Sequence, residues 1–183
     1  AIDIPSGRKV HKSEMPRLGG LGIFGGFICA VLIGLSIAYF RNMGLHYRAI
    51  WGILLGALFM LIVGAIDDIK GISAGKKFIL QIIGAFIPIL FGVQIYFLSN
   101  PVTGVMLMGW FAIPLTLLWI VGMTNAINFI DGLDGLASGI SAIAATTLFI
   151  VAIRIHQPAA AIFMAALAGA AIGFLRFNFN PAS

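Results

Sequence analysis

The segment Asn125-Ala126-Ile127-Asn128-Phe129-Ile130-Asp131-Gly132-Leu133-Asp134-Gly135 carries a polar side chain at every third position, directly after an apolar stretch. In helical or 3₁₀ geometry that spacing aligns Asn125, Asn128 and Asp131 on one face. Gly132 and Gly135 then break the helix and admit a ligand close to the backbone. Amide and carboxylate oxygens together are hard ligands, suited to Mg²⁺ with attached phosphates. A bland polar loop has no need of such regularity at the end of an apolar run.

A second group opens with Asp67 and Asp68, which follow the apolar residues before them without a break. Adjacent carboxylates at a helix end repel each other, and a cation or a shared proton relieves the cost. They point about 100° apart on a helix, so each can address a different partner. Lys77 comes ten residues after Asp67, and Gln81 one turn later on the same face. Lysine at a helix start opposes the macrodipole unless an anion compensates, which favours phosphate binding over simple anchoring. Near the N-terminus, the segment with Pro16-Arg17-Leu18-Gly19-Gly20 reads either as a basic anchor or as a turn that aims Arg17 into the site. His11 has no partner at zinc spacing.

The elements that must hold these groups are membrane helices. Of the 183 residues, 61% are hydrophobic and 9% charged, and the mean hydropathy is +1.09. Soluble domains carry about 25% charged residues. Six apolar runs, roughly 18–40, 49–66, 78–98, 105–124, 136–153 and 159–175, contain no charged side chain. Each is about 17–23 residues, enough to cross a hydrocarbon core of about 30 Å as a helix. Small residues such as Gly25, Gly26, Gly34, Gly52 and Gly56 let such helices approach closely. Pro88 and Pro114 fall inside runs and read as tolerated kinks. The fold class is therefore all-α, a polytopic transmembrane bundle of about six helices forming one integral membrane domain over 1–183. The lone Cys29 excludes an intrachain disulfide.

Alternating six spans sorts the loops into two sets. One set holds Arg8, Lys9, Lys12, Arg17, Lys70, Lys76, Lys77 and Arg176, and the other only Arg41, Arg48 and Arg154. The positive-inside rule puts the first set in the cytoplasm. All six acids, Asp3, Glu14, Asp67, Asp68, Asp131 and Asp134, lie on that side as well. Acids contribute little to topology, so their gathering reads as a site. The basic residues are scattered over short loops, which suits an anionic lipid surface and excludes a nucleic-acid footprint.

Four blocks, in order, carry a family resemblance: Arg8-Lys9-Val10-His11 with Pro16-Arg17-Leu18-Gly19-Gly20, then Asp67-Asp68, then Lys77 with Gln81, then Asn125 through Ala137. The chain resembles the polyprenyl-phosphate N-acetylhexosamine-1-phosphate transferases along essentially its whole length. The resemblance implies an Mg²⁺-dependent enzyme, with Mn²⁺ as an alternative. It would move a sugar 1-phosphate from a UDP-N-acetylhexosamine to polyprenyl (undecaprenyl) phosphate and release UMP. It further implies Asp67, Asp68 and Asp131 as catalytic residues. Asp67 would orient or deprotonate the lipid phosphate, and Asp68 would support it or the metal. Lys77, Asn125, Asp134 and Arg17 would bind substrate, and Asn128 would coordinate Mg²⁺.

Three family features have no counterpart here: a first helix, a Gly-Asp-(Ser/Thr)-Gly-Ser loop expected soon after Pro181, and a histidine-rich loop. The chain is therefore expected to be a piece of a longer protein. The Pro16-Arg17-Leu18 form is similar to the branch that starts teichoic-acid, O-antigen and enterobacterial-antigen chains. The peptidoglycan branch, which transfers phospho-MurNAc-pentapeptide, carries a Thr-Pro-Thr-Met-Gly-Gly type segment and is the alternative. The donor expected is UDP-N-acetylglucosamine. The expected setting is a bacterial plasma membrane with the site on the cytoplasmic face, and a homodimer is left open. A transporter would keep its carboxylates near the midplane rather than at helix ends.

Overall fold

The computed structural model describes residues 2–3, 15–16, 19–102 and 104–179. In chain order the elements are β1 (Ile2–Asp3), β2 (Met15–Pro16), α1 (Gly19–Phe40), α2 (Tyr47–Lys70), α3 (Ala74–Leu90), β3 (Phe97–Asn100), β4 (Gly104–Leu107), a 3₁₀ turn (Gly109–Phe111), α4 (Ala112–Ile130), α5 (Leu136–Arg154) and α6 (Pro158–Asn178). Among the described residues five helical segments, all but α3, are long and apolar enough to cross a membrane. The chain is a multi-pass membrane protein of all-α class. α3 has 17 residues, about 26 Å at 1.5 Å per residue.

Two compact units make up the chain, Ala1–Leu45 with Asn128–Ser183, and His46–Ile127. In the first, α6 packs against both α1 and α5. A glycine stripe on α1 receives α6. A Cβ on Gly19 would come 2.8 Å from Phe174 Cζ, one on Gly34 2.7 Å from Ile162 Cγ2, and one on Gly26 3.9 Å from Ala170 Cβ. The spacing of two helical turns keeps these glycines on one face. Between the stripes Phe27 and Phe163 pack with ring centroids 6.0 Å apart. The buried faces of α5 and α6 are largely alanine, including Ala142, Ala145, Ala152, Ala166, Ala168 and Ala171. In lipid no hydrophobic driving force draws helices together, so close van der Waals packing of small residues must do it.

The second unit is built on the α2–α3 hairpin. Gly52 and Gly56 of α2 form a Gly-x-x-x-Gly face against Pro88, and a Cβ on Gly52 would run into Phe91 Cβ. From the other side, Gly84 sits under Met60 and Phe59, where a Cβ would be 2.7 Å from Met60 Sδ. Arg48 Nη2 donates to the Leu90 carbonyl at 3.1 Å, satisfying a backbone acceptor that the end of α3 leaves open.

The sequence predicts helix over 91–98 and 105–111, and here the structure differs. Pro88 lies in the last turn of α3 rather than at a kink, and Gly92 at φ +91° ends the run. β3 and β4 then pair antiparallel, Phe97 with Leu107 through Asn100 with Gly104. Asn100 Oδ1 accepts the Val102 N–H at 2.8 Å within the connecting turn, an Asx-type arrangement that competes with helix. Thr116, 3% exposed, accepts the Ile95 N–H at 2.8 Å and fastens the hairpin to α4. Pro114 is in the first turn of α4, where its missing N–H costs nothing.

Candidate active site

At 24 residues α2 is about 36 Å long, longer than the hydrocarbon core. Its last turn therefore carries Asp67, Asp68 and Lys70 clear of the apolar stretch. Gly71, at φ +68°, ends the helix and donates its N–H to the Asp67 carbonyl at 2.8 Å. The Asp67 carboxylate spans the turn that follows. Oδ1 accepts the Ile72 N–H at 2.8 Å, and Oδ2 pairs with Lys77 Nζ at 2.7 Å. One carboxylate thus closes the α2–α3 connection and fixes the ammonium at the start of α3. Each oxygen keeps a second lone-pair direction for an incoming group.

One turn beyond Lys77 on the same face, Gln81 is 3% exposed. Its Oε1 accepts from Asn125 Nδ2 at 2.8 Å, and the same Nδ2 donates to the Val121 carbonyl at 2.8 Å. Both amide protons of Asn125 are then engaged, which leaves its Oδ1 as the group on offer. Two polar links result, Asp67–Lys77 to α2 and Gln81–Asn125 to α4, both from one face of α3. Asp68, half-buried, lies about 100° round the helix from Asp67.

The expected helix break in the Asn/Asp string is present. α4 runs through Asn125 and Asn128 to Ile130, residues 131–135 turn, and α5 starts at Leu136. Asn128 and Asp131 are exposed and Asp134 is half-buried. Gly135 is buried and left-handed, φ +72° and ψ −9°. A Cβ there would meet the Asn178 carbonyl and Leu175 Cδ1, each at 3.2 Å. Asn178 Nδ2 donates to Ser138 Oγ at 3.2 Å.

Lys77 pairs with Asp67, and Gln81, one turn further along α3, holds Asn125. Arg17 lies outside the described residues. Ser138 and Asn178 were not legible as a pair, being forty residues apart and individually ordinary. A cavity of about 700 Å³ lies at the far end of α5, lined by Ala30, Gly34, Phe149, His156, Ala161 and Ile162 among others. Its lining holds no carboxylate, so it does not belong to the polar site.

The sequence model of glycosyl transferase family 4 matches residues 50–183, which takes in α2 from its fourth residue, all of α3 to α6, and every site residue named above except Arg17. The chain belongs to glycosyl transferase family 4. Among similar proteins, a probable undecaprenyl-phosphate N-acetylglucosaminyl 1-phosphate transferase of Bacillus subtilis is 40% identical over 184 residues, covering 100% of this chain and 49% of its own length. A decaprenyl-phosphate N-acetylglucosaminephosphotransferase of Mycobacterium tuberculosis is 34% identical over 194 residues, covering 100% and 48%. A phospho-N-acetylmuramoyl-pentapeptide-transferase of Listeria monocytogenes is 36% identical over 193 residues, covering 96% and 57%. This family 4 chain spans about half the length of the relatives it matches.

Proposed function

We propose that this chain is part of a membrane transferase that moves N-acetylglucosamine 1-phosphate from UDP-N-acetylglucosamine to undecaprenyl phosphate. An oxygen of the lipid phosphate attacks the phosphorus that carries the sugar. The bond from that phosphorus to the UMP oxygen breaks, and UMP leaves. The products are a sugar diphospholipid and UMP. This is the first membrane step of a cell-wall or surface polysaccharide such as teichoic acid or lipopolysaccharide.

The observation that carries the reading is the Asp67–Lys77 pair, 2.7 Å apart at the turn of the α2–α3 hairpin. Two anions must meet in this reaction, and repulsion between them is offset by fixed cations and donors. Lys77 is held in place before a phosphate arrives and can exchange Asp67 for phosphate oxygens, or bridge both. Asp67, pinned from two sides, orients the lipid phosphate. Asn125 presents its Oδ1 to the nucleotide sugar, Asp134 is assigned to substrate binding and Asp131 to catalysis.

The donor set also suits Mg²⁺, with Mn²⁺ as a substitute. Asn128 would hold the ion, and Asp68 would support it or the lipid phosphate. Among the described residues no group of three or more His, Cys, Asp or Glu side chains forms a ready cage. Mg²⁺ does not need one, because it is commonly held by one or two carboxylates, substrate phosphates and water. When bound, the ion would offset phosphate charge.

The bias of basic residues supports a cytoplasmic site in a bacterial plasma membrane. The Pro16-Arg17-Leu18 segment and the 40% identical relative favour N-acetylglucosamine over MurNAc-pentapeptide. The test is UMP release by the full-length parent enzyme in vesicles with undecaprenyl phosphate and Mg²⁺, given either donor. UMP release from UDP-N-acetylglucosamine is expected. Turnover of UDP-MurNAc-pentapeptide alone would move the chain to the peptidoglycan branch, and turnover of neither would end the proposal.

A further inference from the structure

The turn that bears Asp131 and Asp134 is gripped where it ends, and a single residue on α6 does so from two of its groups. The Asn178 carbonyl lies 3.2 Å from where a Gly135 Cβ would stand. Its side-chain Nδ2 donates to Ser138 Oγ, also at 3.2 Å, within ordinary hydrogen-bond range. Ser138 is 8% exposed and lies in the first turn of α5. Gly135 is itself buried, and Leu175 Cδ1 of the preceding α6 turn lies as close to the same Cβ position, at 3.2 Å. The backbone that leaves Asp134 therefore has a fixed direction. Gly135 can take no side chain, its φ of +72° suits glycine, and Ser138 is tied three residues later.

We propose that Asn178 is a positioning residue, which sets the direction of the Asp131 and Asp134 side chains by locking the exit of their turn onto α6. This rests on the proposed transferase reading for its catalytic consequence, though not for its structural one. Asn178 reaches the carboxylates indirectly. It acts through Gly135 and Ser138. Errors of about 1 Å in the placement of groups around reacting atoms cost up to about 10²-fold in rate, so the lock matters out of proportion to one long hydrogen bond.

The experiment uses the full-length parent enzyme with Asn178→Ala, Ser138→Ala and the double variant. Ser138→Ala breaks the same bond with a smaller change, so it keeps the test usable should Asn178→Ala not accumulate. Expected is a fall in kcat of about tenfold for each single variant, with thermal stability and membrane yield near parental. The double variant should be no worse than the poorer single one, because both remove one interaction. Parental kcat in both single variants, or losses that multiply in the double variant, would overturn the proposal. A loss that tracks only the amount of folded protein would also overturn it.

A second readout is independent of activity. With Cys29 replaced by alanine, a spin label on Leu133→Cys reports the mobility of the turn, since Leu133 is 58% exposed. Asn178→Ala should increase that mobility, and unchanged spectra would count against the lock even if the enzyme proved to act on another donor. An active parent with an unaffected Asn178→Ala variant sinks this inference alone. An inactive parent with a loosened turn sinks the transferase reading alone.

Discussion

Asn125 donates its side-chain amide to Gln81 Oε1 at 2.8 Å, and the residue that receives it is 3% exposed. One turn earlier on the same face of α3, Lys77 meets Asp67 at 2.7 Å. Two consecutive turns of one helix thus hold the polar groups of both its neighbours, and α3 acts as the reference surface for the site. A change on that face should be felt at α2 or at α4 according to which turn it alters.

Gln81→Ala removes the acceptor that orients Asn125. A buried amide left without its partner costs about 1–3 kcal/mol, and Asn125 is then free to rotate. KM for the UDP-sugar is expected to rise about tenfold, with a smaller change in kcat. Gln81→Glu keeps an acceptor and should recover most of the affinity. Initial-rate kinetics of UMP release measure both, and a parental KM in Gln81→Ala would show that Asn125 does not contact the donor.

Lys77→Met separates stability from function. The pair with Asp67 is partly open, with side-chain exposures of 36% and 22%, so its loss should cost at most about 1 kcal/mol of stability. A lysine that holds phosphate oxygens makes charge-assisted bonds, and kcat/KM should fall about 10–100-fold. Lys77→Arg keeps the charge with a different reach and fork and should recover only part of the rate. A large drop in Tm with little loss of rate per folded molecule would make Lys77 a structural residue.

Asp67→Asn and Asn128→Ala divide the roles at the phosphate and the metal. Asp67→Asn should lower kcat by about 10²–10⁴-fold, the range for loss of an acid–base or orienting carboxylate. Asn128→Ala should instead raise the Mg²⁺ concentration needed for half-maximal rate. An Mg²⁺ titration of UMP release separates the two. Near-parental kcat in the first variant together with an unchanged Mg²⁺ requirement in the second would show both assignments to be wrong.

The glycine seam of the second unit makes a prediction about stability alone. Gly52→Leu or Gly84→Leu must push apart α2 and α3, because Phe91, Met60 and Phe59 already fill the space. Overpacking of this kind costs about 1–3 kcal/mol. Gly64 has nothing within 4 Å of an added Cβ, so Gly64→Ala should be neutral or slightly stabilising, as expected for an open helical position. Thermal unfolding in detergent should rank the variants in that order. Equal midpoints for Gly52→Leu and Gly64→Ala would show that the seam does not hold the hairpin.

Much of the architecture is legible from hydropathy, because a membrane helix must be apolar over a length that the bilayer sets. Hydropathy cannot separate an apolar strand from an apolar helix, and so 91–98 and 105–111 read as helix when most of both belongs to the β3–β4 hairpin and its flanks. The usable signals there were Gly92 after Pro88, Asn100 beside Pro101, and Gly104. Asp67, Lys77 and Asn125 stand out in the sequence as site candidates because charged and amide groups at an apolar boundary are expensive without a purpose. Gln81 stood at the right helical spacing from Lys77, yet a lone glutamine announces no partner. Asn178 could not be read at all, because its meaning comes from Gly135 and Ser138, which only the packing of α6 against α5 brings near.

The glycine seam and the Asp67–Lys77 clasp also bear on how the chain enters the bilayer. α2 and α3 are joined by only three residues, Gly71, Ile72 and Ser73, and they meet along glycines that need no side-chain rearrangement. Such a hairpin behaves as one body, with its two apolar helices already paired before any other element of the unit is added. The charged turn between them is short, and its carboxylate, Asp67, carries its own counter-ion in Lys77 at 2.7 Å.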